Sequence, residues 1–419
     1  MVKLILVNRK MQTVSKSLIK RPKIKWLTTT VLGIGLASLF SDMSHETLTA
    51  VLPAFLASMG AAAGALGTIE GFSDGLSSFA KLYGGWLADR LKRRKPICAS
   101  GYGVMALAPI VVAAASNWLI ILGGRALAWV SRGFRTPARK ALLAEAVTKE
   151  TYGRAFGFER AMDTTGAIIA PIMVLLLLSL GLKYRSLILL STIPALLAVL
   201  AIIFLVKETE NRVPISTPFI KSFGAFDAKF KEFLGAVGLF GLGDFADTFY
   251  ILYAVTVLSP QIGPLKASTL SVAFYALHNI LYASFSYIGG WSADRMNRRL
   301  LLVFGYLSAA IAAVCIFVGV KSYGGLAIMF ALGGIGVGIY EAVEDATAAD
   351  LLPSPIRGSG FGALAVVTGM GDWLSSFIVG WLWAIAGARI AFGYALVLMI
   401  AGASLMFYLS QKNNRKAIS

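Results

Sequence analysis

Ionisable side chains recur at helical spacing inside long apolar runs of this chain. Asp42, His45, Glu46 and Thr49 stand at i, i+3, i+4 and i+7, which places them on one stripe of a helix. Glu70, Asp74, Ser77 and Lys81 make a second stripe, and Arg125, Trp129, Arg132 and Arg135 a third. Glu159, Asp163 and Gly166, with Arg160 beside them, make a fourth. Farther along, Asp244, Asp247 and Asp372 interrupt apolar segments that hold no Lys or Arg at depth, while Glu341, Glu344 and Asp345 lie nearer one end of theirs. Such groups cost at least ~2.5–3.5 kcal/mol each to place in lipid, so they normally face partners or a water-filled path. A surplus of carboxylates in a low-dielectric interior favours proton uptake. A carboxylate that binds a proton in one conformation and releases it in another couples solute movement to a proton gradient. Asp42, Glu46 and Asp74, nearest the expected midplane, are the foremost proton or substrate candidates. Structural pairing competes with that reading, because Asp163 with Arg132, or Glu159 with Arg160, would lock neighbouring helices. His45 reads equally as a proton relay or as a hydrogen-bonded neighbour of Glu46. With Asp42, Glu46 and Asp74 it also forms an N/O set suited to a transported divalent metal. Residues at i and i+1 point to different sides, however, so no resident metal site is expected.

Composition fixes the solvent that surrounds these groups. Of 419 residues, 57% are apolar and 14% charged, and the mean hydropathy is +0.74. Only helices and closed barrels satisfy their backbone in lipid. The continuous apolar runs, such as 97–115, 167–182 and 186–206, suit helices of about 20 residues rather than alternating strands of about 10. The expected fold is an all-α integral membrane protein with twelve spans. The spans fall near 27–57, 66–88, 97–115, 118–138, 155–180 and 185–206, then 233–257, 268–293, 300–320, 324–346, 360–385 and 389–410. The corresponding organisation is a basic segment 1–26, a six-helix bundle 27–206, a linker 207–232, a second bundle 233–410 and a tail 411–419.

The net charge of +18 would suggest nucleic acid on a soluble protein. Its placement argues otherwise. Residues 1–25 carry eight Lys/Arg and no acid, and further basic clusters fall at 90–95, 135–154, 207–231 and 295–299. The intervening connections hold only Lys183, Arg185, Lys266, Lys321 and Arg389. This bias predicts both termini in the cytoplasm and the lipid bilayer, not nucleic acid, as partner. Cys98 and Cys315 fall inside apolar stretches and are expected to form neither a disulfide nor a thiolate metal site.

The two halves repeat. Gly84-Gly85-Trp86-Leu87-Ala88-Asp89-Arg90 returns as Gly289-Gly290-Trp291-Ser292-Ala293-Asp294-Arg295, and Gly153, Phe156, Gly157 and Gly166 match Gly358, Phe361, Gly362 and Gly371 at the same offset of 205. Duplication of a six-helix unit is a transporter architecture. The segment Gly85-x-x-x-Asp89-Arg90-x-x-Arg93-Arg94, with its copy from Gly290 through Asp294 and Arg295 to Arg299, resembles the loop between helices 2 and 3 of major facilitator superfamily transporters. Where that pattern has a glycine two residues after the Arg, this chain has Lys92 and Asn297; Asn tolerates a left-handed backbone better than Lys. Arg125 resembles the family's proton-linked arginine, with Ala128-Trp129 in place of the usual Gln-Gly. Gly166-Ala167-Ile168-Ile169-Ala170-Pro171 resembles the antiporter signature, with Ala170 replacing its second glycine. Ser41 to Glu46 and Gly157 to Asp163 are similar to a bacterial branch with largely unassigned substrates.

The resemblance implies substrate held between the halves near the midplane, with the Asp89 and Asp294 loops latching the outward-open state. The expected activity is proton-coupled secondary transport of a small organic solute, drug-like or siderophore-like, across a bacterial inner membrane by a functional monomer. Uptake of a transition metal or its chelate is the alternative, and a receptor or scaffold on a transporter fold is the rival from another class. Aromatics of helices 7 and 8, such as Phe240, Phe245, Tyr250 and Tyr275, pack against lipid or wall the cavity. No P-loop and no His-Glu-x-x-His occurs, so an enzyme, a cofactor and ATP-driven transport by this chain are not expected.

Overall fold

A computed structural model describes residues 26–59, 63–208, 224 and 226–418 of the chain, a few side chains within those ranges excepted. The basic segment 1–25 and most of the expected linker, with Pro214 and Pro218, lie outside the described residues. The fold is all-helical. The first bundle contains α1 (Thr29–Ser58), α2 (Ala63–Arg90), α3 (Lys95–Ala113), α4 (Trp118–Glu145), α5 (Tyr152–Ser179) and α6 (Tyr184–Leu190 and Thr192–Leu205). The second contains α7 (Ala228–Gly241 and Thr248–Ile262), α8 (Pro264–Ala293), α9 (Arg298–Phe317), α10 (Tyr323–Leu351), α11 (Arg357–Ala386) and α12 (Ala388–Ile418). Seven of these helical segments are long and apolar enough to cross a membrane by length and composition alone.

Packing repeats between the halves. α1 packs on α5 as α7 packs on α11, α2 on α4 as α8 on α10, and α3 on α6 as α9 on α12. Across the halves, α2 meets α11 and α8 meets α5. These crossings require glycine. A Cβ on Gly85 would stand 2.5 Å from the Gly358 carbonyl oxygen, and one on Gly153 would stand 2.0 Å from that of Gly290. Lacking side chains, these residues let the backbones touch.

Two local features depart from the sequence expectation. The span read as 233–257 is broken from Leu242 to Asp247, where Asp244 sits. The exposed amide of Ala246 donates to Ser376 Oγ at 3.0 Å, and Tyr394 Oη donates to the Leu242 carbonyl at 3.1 Å. Side chains thus replace the missing helical bonds. The second departure is in the duplicated loops, which turn without any left-handed non-glycine residue among the described residues. Asn297 has φ −64° and instead caps α9, its Oδ1 accepting from Arg299 N and Leu300 N.

Candidate functional site

The duplicated loops form two matched clasps at the basic end of the bundle. Asp89, 3% exposed at the end of α2, accepts from the backbone amides of Gly358 (2.8 Å) and Ser359 (2.6 Å), the first turn of α11. Arg94 Nη2 donates to the same carboxylate at 2.6 Å and to the Ser354 carbonyl at 3.1 Å, and Arg94 also pairs with Glu145. Asp294, just after α8, accepts from the amides of Gly153 (2.7 Å) and Arg154 (3.2 Å) in the first turn of α5, and from Arg154 Nε at 2.7 Å. Each carboxylate therefore answers the free amides and positive dipole end of a helix from the opposite half. The cations differ. Arg94 belongs to the same half as Asp89, whereas Arg154 belongs to the half opposite Asp294. Burial pushes the Asp294 carboxyl up, and its bonds from Arg154 and Gly153 pull against that. Around the clasps, Arg90 and Arg295 lie over Trp86 and Trp291, Arg299 donates to the Leu409 carbonyl at 2.9 Å, and Arg93 is exposed.

Between the halves lies a cavity of about 270 Å³. The first half contributes Lys81, Arg132, Arg139, Lys140, Arg160 and one acid, Asp163. The second contributes Asp244, Glu341, Glu344, Asp345 and Asp372, and no Lys or Arg among its lining residues. Carboxylates of the first half are matched by arginines: Arg132 holds Asp42 at 2.9 Å, with Asp163 at 3.8 Å, and Arg139 holds Glu159 at 2.7 Å. In the second half, tyrosine hydroxyls serve instead, Tyr340 donating to Asp244 at 2.7 Å, Tyr306 to Glu344 at 2.5 Å, and Tyr282 to Glu341. Two ion pairs cross the cavity, Lys140 to Asp345 at 2.6 Å and Arg160 to Glu341 at 3.1 Å.

The model of the Major Facilitator Superfamily matches residues 34–263 and 236–418. The chain belongs to that superfamily. It is 29% identical over 386 residues to an uncharacterized MFS-type transporter of Methanocaldococcus jannaschii, covering 91% of this chain and 95% of that one. An uncharacterized protein of Mycobacterium tuberculosis is 26% identical over 395 residues, with 90% and 92% covered. Among solved structures, the human organic anion transporter MFSD10 superposes with a TM-score of 0.71 at 14% identity, over 90% of this chain and 99% of that one. The MFS proton:xylose symporter XylE gives 0.70 at 13%, over 91% and 95%. At these identities the likeness is one of fold.

The structure brings together only part of the sequence-predicted set. Lys81, Arg132, Asp163, Asp244 and Asp372 line the cavity, and Glu159 stands behind it on Arg139. Asp42 and His45 are buried on α1, His45 edge-on to Trp129 at 4.8 Å between centroids, and Glu46 is half-buried. Arg125, the position resembling the superfamily's proton-linked arginine, is 1% exposed near the Trp129 ring. Asp247 lies 3.3 Å from the fully buried His278, away from the cavity lining. Glu70 and Asp74 fall on α2, but their side chains lie outside the described residues. No cluster of three or more His, Cys, Asp or Glu arranged to hold a metal occurs among the described residues. Gly71-Phe72-Ser73-Asp74-Gly75 has the spacing of a nucleophile elbow, but it lies inside a helix rather than at a strand-to-helix turn.

Arg139, Lys140, Arg154 and Tyr340 were absent from the sequence candidates. Arg139 continues the Arg132–Arg135 stripe by one helical turn, and α4 running to Glu145 rather than to 138 would have exposed it. The two alternative pairings also resolve. Arg132 favours Asp42 over Asp163, and Glu159 pairs with Arg139, while Arg160 reaches across to Glu341.

Proposed function

We propose that the chain is a proton-coupled secondary transporter that carries a small organic solute by alternating access, with both termini in the cytoplasm. One observation carries this reading: a charged cavity between the two halves, clasped at one end by symmetry-related carboxylates on helix N-termini. With the clasps on the basic, cytoplasmic side, the form described is the one facing outward, and release of Asp89 and Asp294 lets the halves rock. Protons bind on the second half. Asp244 and Glu344 meet tyrosine hydroxyls rather than cations, whereas Asp42, one of the three foremost sequence candidates, is held by Arg132. The cavity of about 270 Å³ is close to the lower end of the ~300–1,000 Å³ of ligand sites, which suits a small organic solute. The two structural neighbours, an organic anion transporter and a proton:xylose symporter, are compatible with a small organic solute here.

Purified protein in liposomes enclosing a pH-sensitive dye tests the proposal, with Asp244→Asn, Glu344→Gln and Asp42→Asn as variants. Solute-dependent proton movement that Asp244→Asn or Glu344→Gln abolishes is the expected result. Solute flux without proton movement removes the coupling. Absence of flux for every solute class and gradient removes the transporter reading and leaves a scaffold.

A further inference from the structure

We propose that the solute is a zwitterion, its anionic group held by the first-half wall and its cationic group by the second-half wall. The inference rests on the transport reading and names the substrate class of the same cavity. Charge is segregated across this space: five cations and one acid face five acids. Membrane insertion does not require such a division, since topology is set by charges near the ends of spans. Structural pairing does not require it either. The first half neutralises Asp42 and Glu159 with its own arginines, whereas the second half has no cation on its wall.

The consequence is a field directed across the cavity. A lone cation gains at the acidic wall but faces a Lys- and Arg-lined wall opposite, on which Arg132 and Arg139 are already offset by Asp42 and Glu159, and a lone anion meets the reverse. A molecule carrying both charges, aligned with the field, gains at both ends. The Lys140–Asp345 and Arg160–Glu341 pairs demonstrate the geometry, because they already compensate charge from wall to wall within side-chain reach. Rocking the halves apart would break both pairs. A zwitterion between the walls supplies the compensation that they lose.

Particular residues mark the two ends. Asp372 faces the cavity, within electrostatic reach of Lys81. Lys81 lines the same cavity from the opposite half. Asp372 takes the cationic group and Lys81 the anionic one. Trp129, Phe240, Tyr340 and Leu364 line the same cavity and offer apolar surface to the body of the solute.

The test is direct binding to the full-length protein in lipid nanodiscs, read by thermal stabilisation. Two skeletons are each offered in four charge forms. The first set is phenylalanine, N-acetylphenylalanine, phenylalaninamide and N-acetylphenylalaninamide. The second is 6-aminohexanoate with its N-acetyl, amide and doubly blocked forms. In at least one set the zwitterion is expected to bind tenfold to a hundredfold more tightly than either singly charged form, roughly what a charge-assisted hydrogen bond supplies. Asp372→Asn should erase the advantage over the N-acetyl form, and Lys81→Gln the advantage over the amide. Melting curves without ligand check that both variants fold. A cationic or anionic form that binds as tightly as its zwitterion overturns the proposal, as does binding by no zwitterion of either set. If a singly charged solute then drives proton movement in liposomes, transport stands and the substrate class falls alone.

Discussion

Replacing Asp89 with Asn strikes the point where the first half grips the second. The carboxylate accepts two amides from the first turn of α11, at 2.8 and 2.6 Å. Hydrogen bonds to a buried charge contribute about 1.5–3 kcal/mol each, against roughly 0.5–1.5 kcal/mol for a neutral one. The helix-end dipole adds about 0.3–1 kcal/mol. Asparagine keeps one neutral acceptor, so the clasped state should lose roughly 3 kcal/mol, on the order of a hundredfold in the equilibrium between clasped and released forms. Arg94 should stay in place, because Glu145 and the Ser354 carbonyl still hold it. The measurement is the distance between spin labels at Lys92→Cys and Met296→Cys, both exposed on loops at the basic end of opposite halves, with Cys98 and Cys315 replaced by alanine. The variant should show a new, longer population that the parent lacks. A distance distribution identical to the parent's, in protein with unchanged helicity, would refute the clasp as a stabiliser of the closed end.

Adding one methyl group at Gly153 tests the glycine crossings. A Cβ there would lie 2.0 Å from the Gly290 carbonyl oxygen, so Gly153→Ala should shift the same label pair toward the longer distance while Gly103→Ala, where a Cβ meets nothing within 4 Å, should not. Removing one partner of the buried Lys140–Asp345 pair should lower stability by about 3–5 kcal/mol, because it strands a charge. Thermal unfolding of Lys140→Met, Asp345→Leu and the double variant checks this; the double variant should recover much of the loss, and three equal losses would contradict the pairing.

Much of the architecture is legible in the chain itself. Apolar run length dictates helices, because lipid leaves the backbone no other open arrangement. The offset of 205 between Asp89 and Asp294 marks the duplication, and most span ends agree with the helices within a few residues. Asp42 and Arg132 lie on α1 and α4, within the runs whose helical spacing singled them out. Spacing reports only which residues share a face, however, not which face of which other helix they meet. The α7 break escaped because an apolar count does not register that Ser376 and Tyr394, more than a hundred residues away, satisfy the interrupted backbone. The repeat pairs Gly85 with Gly290 in sequence, whereas in space Gly85 lies on Gly358 and Gly290 on Gly153. A pseudo-twofold relation brings each motif against the partner of its copy rather than against the copy itself. Sequence thus determined the helices, the repeat and the charges they carry. Only the tertiary structure decided that the first half turns its cations and the second its acids toward one shared cavity, because charge partners across a bundle are chosen by proximity in space.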